Sequence, residues 1–196
     1  NRRSISAGVK VDFVFLNFEI CFAGGGLCQG GSRVGCIGHL HVAGHVNDSG
    51  LTLLEDVAAF GMGNPDTTIT GKTSLADGKW HLITATRSID SGVSQLRLFV
   101  DGNLDASGTS PNTEPLNSND GWGVGRQHQT RGIVGDIDDV RIYDKSLSPQ
   151  DVAALFRGRT TVSPKYHYTL DGTIRDDIGN LQGQLTGSQE TRYVSG

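Results

Sequence analysis

What this sequence lacks narrows its class before any motif is considered. Its formal net charge is −4, and it has no basic stripe of the kind that binds phosphates, which disfavours nucleic acid as a partner. It also lacks an apolar run approaching the roughly 18 residues of a membrane span. The apolar stretch from Val9 to Phe22 is broken by polar residues such as Asp12 and Asn17. We therefore expect neither nucleic-acid binding nor a membrane span.

Cysteine is scarce and its spacing is not that of a metal site. Cys21, Cys28 and Cys36 lie in one glycine-rich segment, followed by the histidines of the 39–45 segment. The pattern contains no Cys-x2-Cys pair, which argues against a zinc knuckle. In an oxidising compartment we expect one intramolecular disulfide among the three cysteines, and the partner of the third thiol stays open.

What is present indicates an all-β chain. The 196 residues include 28 glycines and only one methionine, and short apolar runs alternate with turn pairs such as Asp-Gly and Ser-Gly. A chain of this length fits one sizeable core with a tail. The run from Leu51 to Phe60, after a turn at Asn47–Gly50, fits either a strand or a short helix.

The clearest strands are 80–87 and 95–100, joined by a polar linker over 88–94. In the second run Leu96, Leu98 and Val100 share one face, which we predict to be core, and Phe99 falls on the other. Asp101-Gly102 predicts a turn. Alternation also places Trp80 with the core side chains rather than on a ligand-binding surface.

A helix start stands near the end of the clear strand signal. Ser148 suits an N-cap, Pro149 the first helical position and Asp151 the third. We predict a short helix over 149–156 whose Val152, Leu155 and Phe156 pack on the sandwich, and a linker over 157–164.

Five segments in order resemble a known family. They are Asp77-Gly78-Lys79-Trp80-His81, Leu98–Gly102, Gly123–Arg126, Gly135–Asp144 and Leu147–Val152. Together they resemble the laminin-G-like, concanavalin-A-like domain. The resemblance implies a two-sheet antiparallel jelly-roll sandwich, used as a carbohydrate-binding or adhesion module and commonly carrying a structural calcium ion. The same architecture also serves enzymes, so the fold does not decide the function.

The tail resembles the opening of such a domain rather than its end. The evidence is Tyr166–Gly172, followed by Asp176-Asp177-Ile178-Gly179-Asn180. We expect a laminin-G-like sandwich over 1–156, with 165–196 either completing the same domain in a permuted order or beginning a next repeat.

Candidate ligand-binding residues gather around 122–129. Arg126, His128 and Gln129 stand near a predicted strand end and suit hydroxyl recognition, although a solvated polar loop is the alternative. Trp122, flanked by glycines, fits either a sugar-stacking residue or a core residue. We predict a glycan or polysaccharide as the partner.

The resemblance also implies a metal site. In the family, calcium often sits where the opening segment meets the acidic strand near the domain's end. Here those pieces assign Asp138 as a side-chain ligand, with Asp176 or Asp177 and Asn180 supplying further oxygens.

We predict that the chain is not an enzyme, because the sequence names no converging acid pair. Glu55 and Asp56 are adjacent, so on a strand they point to opposite faces. A polysaccharide-degrading enzyme is one alternative. Another is a subunit of an extracellular assembly that self-associates through the C-terminal segment. The chain opens with Asn1 and shows no signal peptide, which fits a mature or excised piece, and we expect it to be secreted.

Overall fold

The computed structural model describes residues 9–12, 49–54, 57–63, 65–77, 79–114, 126–127, 131–132, 137–179 and 182–183. These residues form strands and one helix. The strands are β1 (Val9–Asp12), β2 (Ser49–Leu54), β3 (Val57–Met62), β4 (Thr67–Thr70), β5 (His81–Asp90), β6 (Val93–Val100), β7 (Asn103–Ser110), β8 (Arg126–Gln127), β9 (Arg131–Gly132), β10 (Asp138–Ile142) and β11 (Tyr166–Tyr168), and the helix is α1 (Pro149–Phe156).

Two sheets carry the fold. The larger has the strand order β11-β10-β1-β5-β6-β7, the smaller has the order β2-β3-β4, and β8 and β9 form a separate hairpin. Most neighbours are antiparallel, but β1 lies parallel to both β5 and β10. Side chains from both sheets and the helix contribute to one hydrophobic core. The predicted all-β, two-sheet sandwich with one short helix is confirmed.

Two tight hairpins join β5, β6 and β7, which form one half of the large sheet. Ser91-Gly92 joins β5 to β6, and Asp101-Gly102 joins β6 to β7. All four residues have positive φ, as a two-residue type I′ loop requires. The Asp101-Gly102 turn is as predicted. The predicted linker over 88–94 is wrong, because the strands continue almost to the turn and only residues 91 and 92 lie outside them.

The core follows the predicted alternation with two departures. Leu96, Leu98 and Val100 are buried as expected. Phe99 is buried as well, with 1% of its surface exposed, next to a register shift at Leu98/Phe99 in the pairing with β7. Trp80 is 47% exposed, so its predicted place in the core is wrong. It precedes the first residue of β5 and therefore escapes the alternation rule.

The region from Leu51 to Phe60 is neither one strand nor a helix. It splits into β2 and β3, which pair antiparallel with Leu51 opposite Phe60. Ser49 and Gly50, predicted as part of a turn, belong to β2. Ala58, Ala59 and Phe60 are fully buried, which explains why this stretch shows no clean alternation between apolar and polar residues.

The helix α1 begins as predicted. Ser148 Oγ accepts a hydrogen bond from Asp151 N at 3.2 Å, and Asp151 Oδ2 accepts one from Ser148 N at 3.0 Å, which completes a capping box. Val152 and Leu155 are buried. Phe156 is 50% exposed, and its Cβ lies close to Gly102 of the β6–β7 turn.

The tail adds β11 to the edge of the large sheet. Arg141 on β10 stands opposite His167 on β11, and the strands run antiparallel. The outer side of β11 is also occupied: His167 N donates to Asp176 Oδ1 at 2.7 Å, and Asp177 N donates to His167 O at 2.8 Å. The predicted domain boundaries, including the choice between a permuted domain and a next repeat, stay a prediction.

Candidate functional site

Several predicted site residues lie outside the described residues. They are Trp122, His128, Gln129, Asn180, Cys21, Cys28 and Cys36. Arg126 belongs to β8, which pairs with β9, but only its backbone is described. The predicted ligand-binding group around 122–129 and the predicted disulfide therefore stay predictions.

The outer face of β6 and β7 is polar. The inner face packs on the small sheet, since Ser110 lies 3.3 Å from Thr67 Oγ1 and a Cβ at Gly108 would lie 2.6 Å from Ile69. Side chains alternate along a strand, so Ser107 and Thr109 point the other way, as do their β6 partners. We name this surface the polar face; its residues are Gln95, Arg97, Ser107 and Thr109.

The polar face presents hydroxyl, amide and guanidinium groups to solvent. Ser107 and Thr109 are exposed, while Gln95 and Arg97 are half-buried. Across the strands, Arg97 stands opposite Thr86 of β5, whose buried Oγ1 has no hydrogen-bond partner among the described residues. The donors at this surface are the exposed Ser107 and Thr109 and the half-buried Gln95 and Arg97, a set that suits a ligand rich in oxygen acceptors.

The nearest acid on β7 does not neutralise Arg97. The Asp105 carboxylate is turned toward the loop after β4, where it accepts hydrogen bonds from Lys72 N at 2.9 Å and Thr73 Oγ1 at 2.7 Å. No carboxylate in the described part of the chain forms an ion pair with Arg97. Its guanidinium thus keeps its charge available to an anionic group.

A second polar cluster lies at the end of the sheet where β5 begins. His81 is 8% exposed and lies between two carboxylates. Its Nδ1 is 2.8 Å from Asp101 Oδ2, and its Nε2 is 2.9 Å from Asp77 Oδ1. With both ring nitrogens protonated, each donates to one aspartate. We name Asp77, His81 and Asp101 the histidine clamp; it was not predicted from the sequence.

The clamp changes the ionisation of its members. Burial alone would lower the pKa of His81, but the hydrogen bonds to Asp101 and Asp77 outweigh it and raise the pKa above its ordinary value. The Lys79 ammonium, 2.7 Å from Asp77 Oδ2, and then His81 hold the pKa of Asp77 far below its usual range. The contacts of the clamp therefore favour the charged form of His81.

The predicted metal ligands are only partly brought together. Asp176 and Asp177 lie against β11 through His167, and Asp138 begins β10, the neighbouring strand. Asp176 is 1% exposed, and its Oδ1 also accepts from Ile178 N at 3.1 Å. No group of three or more acidic, histidine or cysteine side chains suited to a metal occurs in the described part. A calcium ion here would need oxygens beyond those residues.

The acidic strand instead carries an ionic cluster. Asp139 and Arg141 lie two residues apart on β10, and their side chains are 2.8 Å apart. Asp139 Oδ1 also contacts His167 Nε2 at 2.6 Å. This contact joins the strand to the tail, and it depends on a cross-strand register that no local pattern reveals.

The fold and these surfaces define a two-sheet β-sandwich module with a polar sheet face and an exposed tryptophan at one end. A family model described as the concanavalin A-like lectin/glucanases superfamily, of the laminin-G type, matches residues 38–153. The match covers more than half of the chain, so the chain belongs to this family. Neither the curated proteins nor the solved structures that were searched contain a match. Among the described residues, no helix is long and apolar enough to span a membrane.

Proposed function

We propose that this chain is a noncatalytic carbohydrate-binding module of a secreted protein and that its polar face contacts the glycan. The polar face is the observation that carries the proposal, because hydroxyl, amide and guanidinium groups are the partners that sugar hydroxyls and sugar acids need. Membership of a superfamily named after lectins and glucanases supports the same ligand class.

Arg97 favours a glycan that carries carboxylate or sulfate groups. A guanidinium binds a planar carboxylate through two parallel hydrogen bonds, and such charge-assisted bonds are stronger than neutral ones. Ser107 and Thr109 on the neighbouring strand add hydroxyls at the spacing of adjacent strands, about 4.8 Å. An acidic polysaccharide lying across β6 and β7 would therefore meet a charge anchor and a row of neutral partners.

A noncatalytic role is supported by how the described carboxylates are used. Asp77 and Asp101 both point at His81, which leaves neither ring nitrogen available as a base. Asp105 and Asp176 accept hydrogen bonds from backbone amides. A glycosidase needs two carboxyl groups facing one bond, and these four side chains instead hold the fold together.

Calcium belongs to the proposal as a structural ion at the junction of tail and acidic strand. Asp138, Asp176 and Asp177 offer the carboxylates that this hard cation prefers, and Asn180 offers an amide oxygen. Such an ion would be held where β10, β11 and the following turn meet. It would act on stability rather than on glycan chemistry.

A second candidate function is self-association through the C-terminal segment. The observation that favours it is the position of β11 at the edge of the large sheet, reached through a segment over 157–165 that is exposed or half-buried throughout. An edge strand on such a connection can pair with β10 of another copy instead of its own. Light scattering over a range of concentrations tests this, and a monomer throughout would exclude it.

A glycan array in calcium buffer, with matched variants, tests the main proposal. Arg97→Ala should weaken binding to the bound glycans about tenfold or more, since one charge-assisted hydrogen bond contributes about 1.5–3 kcal/mol. Arg157→Ala removes the same charge from an exposed position after α1 and should leave binding unchanged. Hydrolytic or eliminative cleavage of a polysaccharide, without stable binding, would instead favour the alternative that the chain is a polysaccharide-degrading enzyme.

A further inference from the structure

A second ligand surface is suggested by the tryptophan that the sequence placed in the core. Trp80 stands directly before β5 with 47% of its surface exposed. An indole exposed to this extent offers a flat apolar face to a ligand. Its neighbour Lys79 is also exposed, whereas His81 on the other side is buried. Trp80 therefore projects from a backbone segment that is held in place.

The histidine clamp holds this backbone segment. Its two aspartates contact His81, and they also accept hydrogen bonds from the backbone on both sides of Trp80. Lys79 N donates to Asp77 Oδ1 at 2.9 Å, and Leu82 N donates to Asp101 Oδ1 at 2.9 Å. Asp101 N in turn donates to Leu82 O at 2.7 Å. The backbone flanking the indole is thus held before any ligand arrives, which reduces the entropy lost on binding.

Charge balance indicates which ligand fits. The charged residues that flank Trp80 in the chain are Asp77, Lys79 and His81, and His81 also contacts Asp101; with the imidazole protonated, the four side chains carry two negative and two positive charges. A neutral surface with a flat aromatic centre suits an uncharged ring that stacks on the indole. An anionic ligand would gain no net attraction here, in contrast to the polar face with its Arg97.

We infer that Trp80 is a stacking platform for a neutral sugar ring, held in place by the histidine clamp and separate from the polar face. This inference rests on the proposed carbohydrate-binding function and adds a second site with a different preference. A pyranose ring would lay its C–H face on the indole. Its hydroxyls would meet the Lys79 ammonium and the Asp77 carboxylate, both at the protein surface.

The clamp makes the site sensitive to pH. When the imidazolium loses a proton, one ring nitrogen has a lone pair that faces a carboxylate, and one of the two hydrogen bonds is lost. The charged groups that face His81 are Asp77 from the preceding turn and Asp101 from the β6–β7 turn, with Lys79 bound to Asp77. Sugar affinity at Trp80 should therefore fall as pH rises through the His81 pKa, which these carboxylates raise.

Calorimetric titration of the full chain with three uncharged oligosaccharides, cellohexaose, xylohexaose and mannohexaose, tests the inference. At pH 6 we expect at least one to bind, Trp80→Ala to weaken it about tenfold or more, and Trp80→Phe to keep part of the affinity. Ile89→Ala is the matched control, because Ile89 is 49% exposed on the distant β5–β6 hairpin. Equal affinity in wild type and Trp80→Ala would overturn the inference.

A pH series separates a stacking platform from a merely structural tryptophan. Wild-type affinity for the neutral sugar should fall between pH 6 and pH 9, whereas His81→Gln, which keeps an amide donor but cannot titrate in this range, should give a flat profile. A flat wild-type profile would overturn the role of the clamp. Binding of acidic glycans that depends on Arg97, with no neutral sugar bound, would overturn this inference and leave the proposed function standing.

Discussion

His81 and His167 both contact aspartates across strands, but the two clusters stand in different parts of the sheet. His81 lies between two carboxylates at the base of the β5–β6–β7 meander, and backbone amides reinforce the same carboxylates. His167 lies on the edge strand β11 and shares one carboxylate, Asp139, with Arg141. The first cluster joins turns of the β5–β6–β7 meander, whereas the second fastens the edge strand β11 to β10. Substitutions that break contacts in the meander should lower global stability, whereas substitutions that break the contacts of β11 should separate β11 locally from β10.

Arg87 gives the largest expected effect, because it is the most buried charge of the meander, with 1% of its surface exposed. Its Nε donates to Ser94 Oγ at 2.8 Å, and its Nη2 donates to the carbonyls of Asn112 at 3.1 Å and Glu114 at 2.9 Å. Arg87→Ala removes the donor to Ser94 Oγ and to the Glu114 carbonyl, leaves the Asn112 carbonyl with its hydrogen bond from Ser94 Oγ, and opens a cavity. We expect a loss of about 2–4 kcal/mol in unfolding free energy, measured by urea denaturation.

Arg157→Ala is the control for that experiment, since Arg157 is exposed at the end of α1. It should change stability by less than about 0.5 kcal/mol. Similar losses in both variants would mean that loss of positive charge, rather than loss of the buried network, determines the effect.

The histidine clamp should give the next largest effect, and its pH dependence has a definite sign. The folded pKa of His81 is raised, so its contribution is complete below the unfolded value of about 6.5 and is lost as pH rises through the folded pKa. The pKa of Asp77 is lowered, so its contribution is present above the unfolded value of about 3.9 and is lost as pH falls below it. Stability from the clamp should be greatest between about pH 4 and 6.5.

His81→Gln should remove the alkaline part of this dependence and cost about 1–3 kcal/mol at pH 6, as measured by denaturant titration. The difference between variant and wild type should shrink once the pH exceeds the raised pKa of His81, because the wild-type imidazole then loses its extra proton. His167→Gln provides the comparison from the edge strand. A pH-independent difference for His81→Gln would contradict the charged clamp.

The edge cluster should respond locally. Asp139 has a φ of +57°, a conformation that Asn tolerates well, so Asp139→Asn removes the charge without adding backbone strain. We expect a loss of about 1 kcal/mol confined to β10 and β11, seen as faster amide hydrogen exchange at Tyr166 and Tyr168. Exchange at Leu96 and Leu98 in β6 should stay unchanged. Equally faster amide exchange in β6 and in β10 and β11 would contradict the distinction between the meander and the edge strand.

Much of the meander could be predicted because its signals are local. Alternation set the buried face of β6, Asp101-Gly102 marked its turn, and the Ser148–Asp151 capping box marked the helix. The alternation of buried and exposed side chains failed as a guide where a strand begins or its register shifts. Trp80 precedes β5, and Phe99 adjoins the register shift between β6 and β7. These positions are set by the pairing of strands, which periodicity within one strand does not encode.

The candidate sites were harder to predict because they join separated segments. Asp77-Gly78 and Asp101-Gly102 each offered an aspartate at a turn near His81, but only the pairing of β5 with β6 shows that both reach one ring. The polar face likewise depends on the register between β6 and β7. The contact of His167 with Asp139 requires the tail to pair with β10, and the resemblance of the tail to an opening segment left its docking partner undecided.

Calcium should have the smallest effect, and it tests whether the edge is fastened by more than the Asp139 cluster. An ion that binds only when the tail is docked stabilises the docked state by mass action, by about 0.4 kcal/mol at a concentration equal to its Kd. For a chain of this size that corresponds to roughly 1–2 °C in melting temperature. Asp138→Ala should lower the melting temperature in calcium and abolish the difference between calcium and chelator, because Asp138 is the ligand predicted on β10. Asp144→Ala, which removes an exposed acid just beyond that strand, should retain the difference. Chelation of the wild type should speed amide exchange in β11 before β6, since the ion would hold the tail and not the meander. Identical melting of the wild type in calcium and chelator would exclude the site and leave the contacts of His167 with Asp139 and Asp176 as the fastening of the tail.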